Sequence, residues 1–298
     1  MTTQQHSERS LTRRNFVKAG ALACATGLFA LNGCTLEEVK NSQLASEFQG
    51  IENKQYGLAI NVSMLDALGG QEFIDSIIAA CHSYHNVPKI DDPKKSMDWI
   101  WTQSYEEAFS DIASTYVDEK TASYAYPVMC NHCTDPQCVR VCPTQTTFKR
   151  PDGIVMMDYH RCIGCRFCMS ACPYGARSFN FMDPRPYVDK ESMNPGYPTR
   201  SKGVVEKCTL CYELIDQGSV PVCVQAAYGC ITFGDLTDEN SEIRQVLSQA
   251  FSIRRRVELG TGPNVYYTFD EETAALYANG LNLGGMHGFE GDLLEGGE

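Results

Sequence analysis

Apolar residues recur along this chain in short bursts. The first runs from Ala19 to Leu31, thirteen residues behind Thr12-Arg13-Arg14-Asn15-Phe16-Val17-Lys18. It is too short for an ordinary spanning helix and has the length of a signal-peptide apolar region. No run reaches the roughly 18–20 residues needed to cross a bilayer, which excludes a multi-pass membrane protein. Ile74, Ile77 and Ile78 recur at helical spacing and predict a packed helix from about Gln71 to His82. Ile154-Val155-Met156-Met157, entered from the turn Pro151-Asp152-Gly153, predicts a short strand. Phe148, Phe179, Phe181 and Phe233 are expected on strands, as core residues. Pro173, Pro184, Pro186, Pro195 and Pro198 mark residues 173–202 as a long ordered loop. Ser241 and Glu242, then Ile243, Val246, Leu247 and Phe251, predict a capped amphipathic helix.

Composition narrows the function. The 298 residues are 43% apolar with a formal net charge of −12, so a packed core is available. A nucleic-acid role, which needs a basic face, is disfavoured. The fifteen cysteines change the picture most. Eight fall in two runs, Cys130-x2-Cys133-x4-Cys138-x3-Cys142-Pro143 and Cys162-x2-Cys165-x2-Cys168-x3-Cys172-Pro173. The second run has the bacterial ferredoxin spacing, in which three cysteines wrap one corner of an iron–sulfur cube and the fourth reaches a neighbouring cube. Gly164 is expected to let the loop approach the inorganic sulfides. Zinc ribbons need two knuckles rather than four cysteines in one short run. Independent disulfides do not fit thiols this crowded, and redox-active Cys-x2-Cys pairs do not come in triplets. A third group, Cys208-x2-Cys211-x11-Cys223, lies in and after Gly203-Val204-Val205-Glu206-Lys207-Cys208-Thr209-Leu210-Cys211, and Cys81 stands alone.

With the two runs, Asn194-Pro195, Pro198-Thr199-Arg200, Phe233-Gly234-Asp235-Leu236 and Leu259-Gly260-Thr261-Gly262-Pro263-Asn264-Val265-Tyr266-Tyr267, the chain resembles exported four-cluster ferredoxin-type electron-transfer subunits. These serve periplasmic nitrite reduction, sulfite-reduction complexes and certain membrane hydrogenases. The resemblance covers about Tyr56 to Tyr267 and implies an α+β fold of two interleaved ferredoxin-like modules with long loops and a C-terminal extension. The outer module takes residues 55–125 plus 203–240, the inserted dicluster module 126–202 and the extension 241–298, behind a leader of residues 1–33 and a linker of 34–54.

The chain departs from the family pattern in one respect. The first three cysteines of the family's first group fall on Gln71, Ile74 and Ile77, and the last cysteine of its last group falls on Ala227, with Tyr228 where a proline usually follows. In the family these four positions bind the same cube, so the resemblance implies one cluster lost as a unit. It implies three [4Fe-4S] clusters: one on Cys81, Cys208, Cys211 and Cys223; a second on Cys130, Cys133, Cys138 and Cys172; a third on Cys162, Cys165, Cys168 and Cys142. Cys230 is read as a core thiol, with a rescue ligand for a partial cluster as the alternative. The six histidines show no metal-ligand spacing; His132, inside a run, is expected to hydrogen-bond or shield a cube. Arg254-Arg255-Arg256 is read as a solvated face or salt-bridge site, with docking as the alternative.

No nucleophilic triad or phosphate loop stands out, so no catalytic residue is assigned. The expected function is electron transfer between an integral-membrane quinone-reactive subunit and an extracytoplasmic partner, a multihaem cytochrome in preference to a molybdopterin catalytic subunit. The preference rests on the resemblance: the missing cube is the one nearest the molybdopterin cofactor in relatives that have one, while the third cube lies toward the membrane. A freestanding soluble carrier is the remaining alternative. Arg13-Arg14 resembles a twin-arginine export signal, which implies the Tat translocase and a periplasmic or extracytoplasmic site. Leu31-Asn32-Gly33-Cys34 resembles a lipoprotein box, with nearby cleavage or an uncleaved anchor as alternatives.

Overall fold

The computed structural model describes residues 53–271 and 275, apart from 115 and 192. The leader, Arg13, Arg14, Cys34, almost all of the linker and most of the chain beyond 271 lie outside the described residues.

Four small sheets and short helices build the described part. In chain order, the first half holds β1 (Tyr56–Asn61), α1 (Val62–Ala67), α2 (Gln71–Tyr84), β2 (Ile100–Gln103), α3 (Tyr105–Ala108), α4 (Glu119–Ser123) and β3 (Tyr126–Met129). Next come α5 (Gln137–Arg140), β4 (Thr147–Lys149), β5 (Val155–Met157), α6 (Phe167–Ser170), β6 (Ser178–Phe179) and β7 (Val205–Glu206). The last elements are α7 (Tyr212–Ile215), α8 (Val222–Ala226), β8 (Ile231–Asp235), α9 (Glu242–Gln249), β9 (Phe251–Ile253) and β10 (Val265–Phe269). This is a mixed arrangement compatible with α+β. No described helix is long and apolar enough to cross a membrane.

The largest sheet runs β8-β1-β10-β9. β1 is parallel to β10, with Leu58 opposite Val265, and antiparallel to β8. Residues from both ends of the described chain therefore share the central pair. Leu58, Ala59 and Ile60 are consecutive and all buried, because β1 is covered on both faces. β2 pairs with β3, β4 with β5 and β6 with β7, all antiparallel. Phe109, Tyr126 and Tyr267 meet at centroid distances of 5.2–6.1 Å inside the main core.

The predicted helix over 71–82 is present as α2 and runs two residues further. Ile74 and Ile77 are each 1% exposed and pack in the main core with Cys81, Ala227 and Cys230. Burying each isoleucine contributes roughly 1.5–3 kcal/mol, which holds α2 on the sheet. Cys230 is thus a core thiol, pushed up to about 12 by burial. The strand expected over 154–157 is β5, and residues 173–202 are mainly loop.

Three expectations are corrected. Ser241 occupies the position before α9, but its hydroxyl donates to the carbonyls of Asp235 (2.6 Å) and Asp238 (2.8 Å) instead of capping the helix. Phe251 lies on edge strand β9 and is exposed, as Phe148 and Phe181 are, so none of these three is a core residue. Phe181 also falls just outside β6. The three arginines are not a uniformly solvated face: Arg255 is buried and donates to Ala108 O (2.9 Å) and Gln103 Oε1 (2.8 Å).

A buried ion pair ties the proline-rich loop to the core. Glu206 is 0% exposed and accepts from Arg200 Nε (2.8 Å), Trp99 Nε1 (3.1 Å) and Asn180 Nδ2 (2.6 Å). Arg200 also donates to the carbonyls of His85 (2.5 Å) and Asn86 (2.9 Å). Removing one partner strands the other charge in a low dielectric. Arg200→Met is expected to lower the unfolding free energy by about 3–5 kcal/mol in urea denaturation, and adding Glu206→Gln is expected to recover part of that. A loss below about 1 kcal/mol, the size of a surface pair, contradicts this account.

Candidate functional site

Three Cys-x2-Cys loops share one backbone feature. The residue before the second cysteine has a positive φ in each: His132 at 42°, Gly164 at 68° and Leu210 at 58°. A left-handed turn at that point reverses the chain within one motif and brings both sulfurs to one side. Only Gly164 is a glycine, and a Cβ there would meet Gly203 O at 2.4 Å. Its immediate need is therefore close contact with the backbone at Gly203. The strain at His132 is held by neighbours: Asn264 Nδ2 donates to His132 O (2.8 Å), Asn264 N to Asn131 O (3.0 Å), and Thr134 N to Gly262 O (2.8 Å). The Leu259–Tyr267 stretch thus grips the first cysteine loop.

The third cysteine of each group sits on a short helix, Cys138 on α5, Cys168 on α6 and Cys223 on α8. Backbone N–H groups face the sulfurs: Leu210 N lies 3.4 Å from Cys208 Sγ and Val222 N 3.4 Å from Cys211 Sγ. Cys142 and Cys172, each followed by proline, repeat one another. Amides of Thr144, Thr146 and Thr147 serve Cys142, and those of Tyr174 and Ala176 serve Cys172. Three residues on, Gln145 and Gly175 both have positive φ.

Electrostatics shows which cysteines are neighbours. Burial pushes the Cys81 thiol well up, and Cys223, Cys208, Cys211 and Glu213 push it further. Cys133 rises to about 12 through burial, then through Cys130, Cys172 and Cys138. Cys168 is raised by burial and by Cys138 and Cys162, against Arg177. Cys165 is exposed, and Cys142 is placed by its amides and by Thr144 Oγ1 at 3.7 Å. None of the thirteen described cysteines is in a disulfide.

Cys130 behaves differently. Burial raises its thiol, but Lys207, His132 and Arg177 together bring it down to about 5. Lys207 is 1% and Arg177 4% exposed. Lys207 Nζ donates to the carbonyls of Val155 and Cys208, the latter at 2.7 Å. Arg177 Nη1 reaches Thr147 Oγ1 (3.3 Å) and Met157 Sδ (3.7 Å). His132 Nδ1 accepts from Val155 N (3.1 Å), so its hydrogen is on Nε2.

Lys207, Arg177 and His85 were not legible as site residues. Lys207 directly precedes Cys208 and Arg177 follows Cys172 by five positions, which are the only signals the sequence offers. His85 lies one helical turn beyond Cys81. Its Nδ1 is 2.7 Å from Cys81 O, and its Nε2 is 3.5 Å from both Cys211 Sγ and Glu213 Oε1. The histidines, read as forming no ligand-like grouping, therefore include one among the cysteines.

Several buried polar atoms beside the cysteines have no partner among the described residues: Asn131 Nδ2, His132 Nε2, Thr209 Oγ1 and Arg177 Nη2. Buried donors require acceptors, and the sulfurs of an iron–sulfur cube are acceptors. The donor set, the thiols and the buried cations all fit anionic clusters.

Comparisons with known proteins agree. Residues 121–184, which enclose both complete cysteine runs, match the 4Fe-4S dicluster domain family. The chain is 38% identical over 237 residues to the Hdr-like menaquinol oxidoreductase iron-sulfur subunit 1 of Archaeoglobus fulgidus, covering 72% of this chain and 84% of that one. It is 30% identical over 239 residues to the menaquinone reductase iron-sulfur cluster-binding subunit of Nitratidesulfovibrio vulgaris, covering 72% and 88%. A tetrathionate reductase subunit of Salmonella typhimurium is 35% identical over 176 residues, covering 56% and 63%. The chain belongs to the family of ferredoxin-type, [4Fe-4S]-binding iron–sulfur subunits of oxidoreductases that these relatives represent.

Proposed function

We propose that the chain passes single electrons through three [4Fe-4S] clusters between a membrane quinone-reactive subunit and an extracytoplasmic redox partner. One observation carries the count. The left-handed turn recurs in three Cys-x2-Cys loops, while the positions that match a fourth, Gln71, Ile74 and Ile77, lie in the regular helix α2. A helix directs its side chains outward along one axis and does not wrap a cube. Ile74, Ile77 and Ala227 are buried among apolar neighbours.

Cys81, Cys208, Cys211 and Cys223 would hold the first cube; Cys130, Cys133, Cys138 and Cys172 the second; Cys162, Cys165, Cys168 and Cys142 the third. Each cube supplies a one-electron couple when bound. The chain contributes amides aimed at sulfur, burial that excludes water, and fixed cations. The two-module division, 55–125 plus 203–240 around 126–202, with 241–298 as an extension, belongs to this reading. The electrostatic tie of Cys81 to Cys208, Cys211 and Cys223 across the inserted segment supports it.

Two of the relatives carry menaquinol or menaquinone in their names, which supports a quinone as one partner. For the other partner we favour a multihaem cytochrome, docking where α2 stands in place of a cluster loop. Likeness to a subunit of a tetrathionate reductase supports the alternative of a catalytic reductase partner with molybdopterin chemistry. The test is purification of the intact membrane complex. A menaquinol analogue is expected to bleach the cluster absorbance only with the membrane partner present, and haem is expected to co-purify. A molybdopterin subunit without haem contradicts the cytochrome assignment, and reduction by the quinol without any partner contradicts the role as an intermediate carrier.

Arg13-Arg14 ahead of the Ala19–Leu31 run supports export by the twin-arginine route to an extracytoplasmic site, with Cys34 as a candidate lipid anchor. Changing both arginines to lysine is expected to leave a cluster-loaded precursor in the cytoplasm, seen by fractionation. Unchanged export contradicts the assignment, and lack of lipid label on Cys34 removes the anchor.

A further inference from the structure

Two cations elsewhere in the core, buried Arg200 and partly buried Arg150, are neutralised by carboxylates, whereas buried Arg255 donates to Ala108 O and Gln103 Oε1. Arg200 pairs with Glu206 at 2.8 Å, and Arg150 with Asp152 at 2.8 Å and Asp216 at 2.5 Å. Lys207 is 1% and Arg177 4% exposed, against 3% for Arg200, yet among the described residues neither has a carboxylate in ion-pair range. An unpaired cation at such depth is strongly disfavoured unless another anion faces it. Both stand beside cysteine loops.

Their positions are specific. Lys207 Nζ is bonded to the carbonyl of Cys208, a ligand assigned to the first cube, and to that of Val155. Val155 N–H in turn holds His132, inside the loop of the second cube. Lys207 therefore stands between the Cys208 loop and the Cys130 loop. Arg177 extends from the chain just after Cys172, assigned to the second cube, and reaches Thr147, just after Cys142, assigned to the third. Its field acts on Cys138, Cys168, Cys130 and Cys172, which span both cubes. Lys207 likewise acts on Cys130 and, against the burial that pushes it up, on Cys208.

We propose that Lys207 and Arg177, one cation in each gap between successive cubes, set the order of reduction, so that the middle cube on Cys130, Cys133, Cys138 and Cys172 takes the first electron. The proposal rests on the three-cube reading above. Reduction adds negative charge to an already anionic cube, and a nearby cation stabilises that charge by an amount that falls with distance. The middle cube adjoins both cations, while each end cube adjoins one. The first cube also has Glu213 beside Cys81 and Cys211, a carboxylate with His85 Nε2 3.5 Å from its Oε1, and it opposes added negative charge there. An electron arriving from either end then settles in the middle. Lys207 and Arg177 are positioning residues of the electron path, acting through the clusters' field.

An EPR-monitored redox titration of the full chain, purified anaerobically with its clusters, tests this. In the wild type the first signal to appear is expected to be sharp, then broadened by both later reductions, because a middle cube has a spin neighbour on each side. Lys207→Met is expected to lower the first couple and one other. Arg177→Met is expected to lower the first couple and the remaining one. Lys207→Arg and Arg177→Lys, which keep the charge, are expected to preserve the order. A first signal that stays sharp after the second reduction marks an end cube and overturns the proposal. So do charge-keeping variants that shift as far as the Met variants. Should the Met variants fail to load iron, the wild-type broadening and the charge-keeping pair still decide. A wild-type protein with no [4Fe-4S] signal at all would instead overturn the underlying cluster reading.

Discussion

A thiolate moved from water into a protein interior loses solvation that only fixed charges and directed N–H groups replace. Six of the thirteen described cysteines are buried and six more half-buried, and the local structure is organised around that loss. The left-handed turns at His132, Gly164 and Leu210 bring pairs of sulfurs to one side. Amides after Cys142 and Cys172 point at those sulfurs, and Lys207 and Arg177 supply positive charge that no carboxylate among the described residues cancels. Cys130, brought down to about 5 despite burial, shows how far the surroundings already favour a bound anion.

The rest of the fold keeps these loops in place. β1 and β10 form the central pair of the largest sheet, and the stretch entering β10 grips the Cys130 loop through Asn264, Thr261 and Gly262. Helix α2 serves two purposes. Its Ile74 and Ile77 fill the core, and its last turn carries Cys81 toward the Cys208–Cys223 group, with His85 just beyond. The proline-rich loop is fastened by Arg200 and Glu206 beside the same group. Packing and cluster geometry therefore depend on one another: a shift of α2 moves both the core and a ligand.

Much of this was legible in the sequence because it is local. Cysteine spacing dictates loop geometry within a dozen residues, and the isoleucine period of α2 and the turn before β5 are equally short-range. What was not legible depends on long-range burial. Nothing around Lys207, Arg177 or Arg255 in sequence marks them as interior, since charged residues are usually exposed; only the assembled core shows what surrounds them. His85 looked like a stray histidine until the fold brought Cys211 beside it. Ser241 met the pattern of a helix cap, yet tertiary acceptors at Asp235 and Asp238 took its hydroxyl. Phe148, Phe181 and Phe251 carried an apolar signal, but two lie on short or edge strands and the third just outside one, all exposed.

The central claim is that three cysteine groups hold cubes and that a fourth position has become packed core. Diffraction from the anaerobically purified protein, with anomalous data at the iron absorption edge, tests it most directly. The account predicts three separate iron peaks of about four atoms each, beside Cys208, Cys130 and Cys162, with Lys207 and Arg177 in the two gaps. A fourth peak beside Ile74, Ile77 and Ala227, or zinc in place of iron at the cysteine loops, would contradict it.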